Sequence, residues 1–125
     1  MAHQVAGYPE DETAITAAEA LIAGGTGILE VQLAFSDPSA DGVAIQTACS
    51  TVLSKGYTVK QGLENISKLR KLHPEIPVFL MTYGCLVYRP GVENFVKMAH
   101  DAGMLCLADE AHGTHLYFGE NLPSF

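Results

Sequence analysis

Glu30 sits inside the apolar run Ile28-Leu29-Glu30-Val31-Gln32-Leu33. A carboxyl with such neighbours is expected to lose water, which raises its pKa toward the range where it can take and give protons near neutrality. The plain alternatives are a Glu paired with an Arg or Lys, or a strand lying at an exposed edge. Asp37 and Asp41 follow in the loop Phe35-Ser36-Asp37-Pro38-Ser39-Ala40-Asp41-Gly42, where turn-making and helix capping are ordinary duties for aspartate. Together they suggest a division of labour: a desolvated strand carboxyl for acid/base work and a more exposed loop carboxylate that stays ionised.

A second cluster is Asp109-Glu110-Ala111-His112-Gly113-Thr114-His115. The D-E-A-H string occurs in certain helicases, but no G-x-x-x-x-G-K-[ST] phosphate loop precedes it. His112-x-x-His115 with Asp109 and Glu110 has the residue types for a metal site, and a solvated polar loop is the third reading. Cys49, Cys85 and Cys106 are an odd number with no C-x-x-C spacing, which reads as buried thiols rather than zinc or redox chemistry. His73 and His100 stand near helix ends, where they suit the helix dipole.

These residues need elements to hold them. After Val5, the turn signal Gly7-Tyr8-Pro9 and the acidic Glu10-Asp11-Glu12 open a helix with Ile15, Ala18, Leu21 and Ile22 inward, ended by Gly24-Gly25. Gly27 to Leu33 reads as a strand with Ile28, Glu30 and Gln32 on one side and Leu29, Val31 and Leu33 on the other. Ile45, Ala48, Val52 and Leu53 mark a second helix, stopped at Lys55-Gly56. Thr58 and Gln61 have capping-box spacing ahead of a helix striped by Leu63, Ile66 and Leu69. Pro77 to Thr82 reads as a strand buried on both faces. Pro90 is expected to open a helix with Val92, Phe95, Val96 and Ala99 inward, Gly103 to end it, and Met104 to Ala108 to form a fourth strand. Strand and helix alternation of this kind predicts α/β architecture with a parallel sheet and crossover helices, its chemistry gathered at the strand C-terminal ends.

With 14 acidic residues against 7 basic ones, the chain carries a formal charge of −7. This argues against a nucleic-acid or anionic-membrane partner, and the basic run Lys68 to Lys71 reads as the solvated face of a helix. Apolar residues make up 48% of the 125 residues, enough for one domain over 1–125. No run is long and apolar enough for a membrane span, and the N-terminus has no secretory pattern, so a cytoplasmic location is expected.

The segment Leu29-Glu30-Val31-Gln32-Leu33-Ala34-Phe35-Ser36-Asp37-Pro38-Ser39-Ala40-Asp41-Gly42, followed by Ile45-Gln46, resembles the tryptophan synthase alpha chain family, whose signature is L-E-x-G-x-P-F-S-D-P-x-A-D-G with I-Q soon after. The Ala6-Gly7-Tyr8-Pro9 turn fits upstream. Ile76 to Tyr83 and Gly91 to Phe95 look like the family's third strand and following helix, so the resemblance covers roughly residues 2–108. It implies a (β/α)8 barrel that cleaves indole-3-glycerol phosphate by a retro-aldol reaction into indole and glyceraldehyde 3-phosphate. Glu30 would then be the proton-transferring carboxyl, and Asp41 would accept the indole N–H and stabilise positive charge on the ring. Asp37 would shape the loop, Tyr83 would lie near the indole pocket, and a tryptophan synthase beta chain would be the parent family's partner. Gln32 stands where the motif has Gly, Ala34 where it has Pro, and His3 where many members carry a bulky apolar residue. A full barrel needs roughly 250 residues and places its phosphate loops after strands seven and eight.

Residues 104–123 resemble something else. Leu107 to Phe118, followed by Leu122-Pro123, is similar to the D-E-A-H-G-x-H segment of the fold-type-I pyridoxal-phosphate decarboxylases for ornithine, lysine and arginine. By that resemblance Asp109 would pair with the pyridine nitrogen, Ala111 would pack on the ring and His112 would lie beside the cofactor. The family's Schiff-base lysine lies downstream of this segment, so no cofactor is expected to be held. The expectation is thus half of a (β/α)8 barrel with four strands, in which 1–103 is of tryptophan synthase alpha type and 104–125 is a decarboxylase-like strand and tail, a fragment or chimera without turnover of its own. It would be completed by homo-oligomerisation. An active lyase and a module binding an indole-like ligand are the other readings.

Overall fold

The first strand, β1 (Ala2–Val5), ends at a buried turn where Gly7 takes φ +72°. Only glycine enters that region cheaply, and a Cβ there would stand 2.5 Å from the Tyr57 ring. The chain then enters α1 (Asp11–Ala23), whose first turn holds Asp11 and Glu12 against the positive end of the helix dipole. A computed structural model describes residues 1–104 of the chain. The strands β2 (Leu29–Gln32) and β3 (Val78–Met81) complete a parallel sheet in the order β1-β2-β3. Between them run α2 (Val43–Ser54) and α3 (Val59–Leu72), and after β3 come α4 (Gly84–Tyr88) and α5 (Val92–Asp101).

Helix α3 begins with the capping box the spacing predicts: the Gln61 N–H donates to Thr58 Oγ1, and the Thr58 N–H donates to Gln61 Oε1. Its Leu63, Ile66 and Leu69 are buried in a core with Leu29, Val31 and Leu33 of the second strand region and Phe95 and Ala99 of α5. Met104 is buried in the same core, while the rest of the expected fourth strand lies outside the described residues. Gly62 of α3 faces Leu33 so closely that a Cβ would stand 2.5 Å from Leu33 Cδ2. A smaller cluster, Val5 with Ala48, Cys49 and Val52, seats α2 near the C-terminal end of β1.

Several expectations need correction. Leu21 is 37% exposed. The inward face of α1 rests on Ala14 and Ala18, small enough for close approach, and Leu21 lies where the helix unwinds into a turn, with its carbonyl accepting from the Thr26 N–H at 3.1 Å. Pro90 lies ahead of α5, which starts at Val92 behind Gly91 at φ +90°. Helix α4 was not expected, because five residues with none buried leave no periodic signal. The third strand is not buried on both faces: Val78 is buried, but Phe79 is 50% exposed on the sheet face opposite the α1, α3 and α5 core, beyond the reach of α2, which packs at Val5. Cys49 is buried as expected, Cys85 is exposed, and Cys106 lies outside the described residues.

Candidate functional site

Side chains alternate along a strand, and partners in register share a face. The register His3↔Glu30↔Phe79 and Val5↔Gln32↔Met81 therefore puts Glu30 and Gln32 together on the face opposite the α1, α3 and α5 core. Glu30 keeps 30% of its side-chain surface exposed, so the full desolvation expected from its apolar neighbours is not reached in the described residues: Leu29, Val31 and Leu33 point to the other face. Its basic neighbour is a histidine, with His3 Nε2 lying 3.9 Å from Glu30 Oε2. The same nitrogen lies 2.9 Å from Gln32 Oε1, and Gln32 is only 1% exposed.

The loop after β2 brings Asp41 back to this strand. Pro38 is buried, the Asp41 N–H donates to the Pro38 carbonyl at 3.0 Å, and the Gln46 side chain donates to the Asp41 carbonyl at 2.8 Å. The carboxylate is then free of the capping duty its position suggested. Gly42 is the N-cap of α2, with no side-chain cap, and Asp41 Oδ2 instead accepts Gln32 Nε2 at 2.8 Å. Asp37 is exposed on the outer part of the loop.

Tyr83 stands at the N-cap of α4, its ring stacked on Phe35 with centroids 4.5 Å apart and planes 21° from parallel. Its hydroxyl is buried without a hydrogen bond of good geometry. Burial first, then the carboxylate of Asp41 with smaller contributions from Cys49 and Asp37, pushes the phenol above its ordinary pKa. Glu30, His3, Gln32 and Asp41 thus form one polar row, and Asp41 joins it to the Phe35–Tyr83 stack. A cavity of about 540 Å³, lined by Leu33, Tyr57, Lys60, Leu86, Arg89 and Met98 among others, lies apart from Glu30, Asp41 and Tyr83. Among the described residues no three His, Cys, Asp or Glu side chains gather as a metal site. No helix there is long and apolar enough to cross a membrane. Asp109, Ala111 and His112, the candidate remnant of a pyridoxal-phosphate site, lie outside the described residues.

In the sequence His3 and Gln32 stand out only as departures from a motif, not as site residues. The alternation that groups Gln32 with Glu30 was a usable signal. The pairing of His3 with Glu30 was not, since strand register depends on the whole sheet.

Comparison with known proteins matches the same segments. A family model described as tryptophan synthase alpha chain matches residues 1–109. The tryptophan synthase alpha chain of Leptospira borgpetersenii is 43% identical over 98 residues, 78% of this chain and 37% of the relative. Tryptophan synthase subunit alpha from Legionella pneumophila superposes with a TM-score of 0.77 at 31% identity, covering 82% of this chain and 39% of that one. A chain from the tryptophan synthase a2b2 complex of Pyrococcus furiosus gives a TM-score of 0.75 at 32% identity, covering 82% and 40%. Three parallel strands with outer helices are therefore part of an α/β barrel, and the chain spans little more than a third of the Leptospira relative's length. On residues 1–109, which include the loop carrying Asp37 and Asp41, the chain belongs to the tryptophan synthase alpha chain family.

Proposed function

We propose that this chain carries the ring-binding and proton-transfer side of an indole-3-glycerol phosphate lyase site and does not turn the substrate over by itself. Asp41 accepts the N–H of an indole-like ring, Phe35 and Tyr83 supply an aromatic wall, and Glu30 is the carboxyl that moves the proton when the carbon–carbon bond breaks. Asp37 shapes the loop. The observation that carries this reading is that Asp41 already accepts an N–H, from Gln32 at 2.8 Å, rather than capping α2. A substrate held only at its ring lacks the remote binding energy that aligns the reacting bond, which is the ground for expecting binding without turnover.

The proposal extends to partners. A beta chain would meet a longer chain of this family, as in the Pyrococcus furiosus complex, and for the present chain a second copy covers the exposed Phe79 side of the sheet. A cytoplasmic location belongs to the same reading. A decarboxylase-like tail over 104–125 is a separate proposal: the family match runs through residue 109, so the junction would fall within or after the segment they share. The test of the ring site is indole titration. The chain contains no tryptophan, so bound indole is followed by its own fluorescence. Asp41→Asn is expected to weaken binding about tenfold, the loss of one hydrogen bond to a charged group. Unchanged affinity in that variant would remove Asp41 from the site.

A further inference from the structure

The Asp41 carboxylate is not waiting empty. A carboxylate only accepts hydrogen bonds, so the Gln32 amide must turn its nitrogen toward Asp41 Oδ2, 2.8 Å away. That leaves Gln32 Oε1 facing His3 Nε2 at 2.9 Å. An amide oxygen accepts only, so His3 must carry a proton on Nε2. The row therefore has one polarity, His3 to Gln32 to Asp41, and each donor has one acceptor. With Gln32 only 1% exposed, water has little access to replace either bond. The Tyr83 hydroxyl faces the same carboxylate, so one approach to Asp41 is taken by an amide and another is flanked by a phenol.

We propose that Gln32 is a built-in occupant of the Asp41 carboxylate, anchored from behind by His3, and that a ligand bearing a ring N–H binds by displacing the Gln32 amide. Gln32 is then the residue that sets specificity at this site. Its N–H stands in for the N–H of a ligand, and its side chain fills space on the strand face it shares with Glu30. A weakly donating or bulky ring cannot recover the two hydrogen bonds it breaks, whereas a strong N–H donor recovers one of them. Glu30, 3.9 Å from His3 Nε2, is placed to take the interaction that His3 loses when the amide swings away. Displacement thus passes from the ring-binding residue Asp41 to the proposed proton-transfer residue Glu30 through two side chains. This rests on the reading of Asp41 as the N–H acceptor, deepening it with the identity of the competitor.

The experiment titrates indole, by its fluorescence, into the full 125-residue chain and into Asp41→Asn, Gln32→Ala, His3→Phe and the double variant Gln32→Ala with Asp41→Asn. Removing the occupant is expected to tighten indole binding about tenfold in Gln32→Ala. Loosening its anchor in His3→Phe should give about threefold, and the double variant should lose the Gln32→Ala gain. If Gln32→Ala binds indole no better or worse while Asp41→Asn still weakens the parent chain, Gln32 positions the carboxylate instead of occupying it. Displacement is then overturned and the reading of Asp41 stands. If the gain survives in the double variant, indole merely fills vacated space, and both fall; absence of binding by every variant also overturns both. Should Gln32→Ala fail to fold, the His3→Phe titration decides, together with the imidazole nitrogen shifts of the ligand-free parent chain. Those must report a proton on Nε2 of His3, and the Nδ1–H tautomer would overturn the proposal.

Discussion

The Tyr57 hydroxyl donates to Asp11 Oδ1 across 2.6 Å, and Asn65 Nδ2 donates to the same oxygen from 3.1 Å. One carboxylate in the first turn of α1 thereby gathers the residue ahead of α3 and a buried residue within it. Burial, and after it the hydrogen bond and charge of Asp11, pushes the Tyr57 phenol far above its ordinary value of 10.0. A group whose folded pKa is raised contributes stability that is complete below the unfolded pKa and is lost as pH rises above it. Urea denaturation should show stability falling as pH climbs past about 10, with a shallower fall in Tyr57→Phe. At neutral pH that variant should cost about 1.5 to 3 kcal/mol, as expected for a hydrogen bond to a charged group. Identical pH slopes in the two proteins would show that Tyr57 ionises as freely folded as unfolded.

Gly7→Ala should be among the costlier single-methyl additions in the chain. The backbone stands at φ +72° and the new Cβ would meet the Tyr57 ring at 2.5 Å, so strain and clash combine to about 2 to 4 kcal/mol. Thermal unfolding would register it, and near-ultraviolet circular dichroism would report the displaced tyrosine. A melting temperature within a degree or so of the parent would mean that the turn relaxes without cost.

Incubation with indole-3-glycerol phosphate should release no detectable indole from the isolated chain, since only ring contacts are proposed to hold the substrate. The assay is sensitive because the protein has no indole of its own. Release that vanishes in Glu30→Gln would prove the chain a working lyase.

The sheet face opposite the α1, α3 and α5 core carries Phe79 at 50% exposure beside Glu30, and β1 and β3 are both edge strands among the described residues. Unpaired parallel edges and an exposed aromatic favour association, so sedimentation at micromolar concentration should find a dimer or larger species. Phe79→Lys should shift it toward monomer. A monomer in the parent chain that binds no apolar dye would remove this prediction.

Periodicity and capping chemistry made much of this fold legible. The Thr58–Gln61 box placed the start of α3 to the residue, and Gly24 and Gly103 marked helix ends because backbone geometry there is decided locally. What escaped was decided at a distance. Phe79 reads as core in any local window, yet it faces away from the α1, α3 and α5 core, and α2 covers that side of the sheet only at Val5 of β1. Glu30 stands out by its neighbours in sequence, while its neighbour in space, His3, is 27 residues away (30 − 3) and is fixed only by strand register. Asp41 next to a helix start reads as a cap, and only the structure shows its carboxylate turned to Gln32.

Where Gly62 meets Leu33, a helix and a strand end touch with no side chain between them on the helix's part. The contact acts as a detent. A turn of α3 about its own axis would bring a real side chain into that gap, so the helix is indexed against the strand by an absence. Leu33 is also the last buried residue before the loop that returns to Asp41. The heading with which that loop leaves the sheet, and hence the reach of a carboxylate eight residues on (41 − 33), begins at the one α3 position where a hydrogen atom stands in place of a carbon.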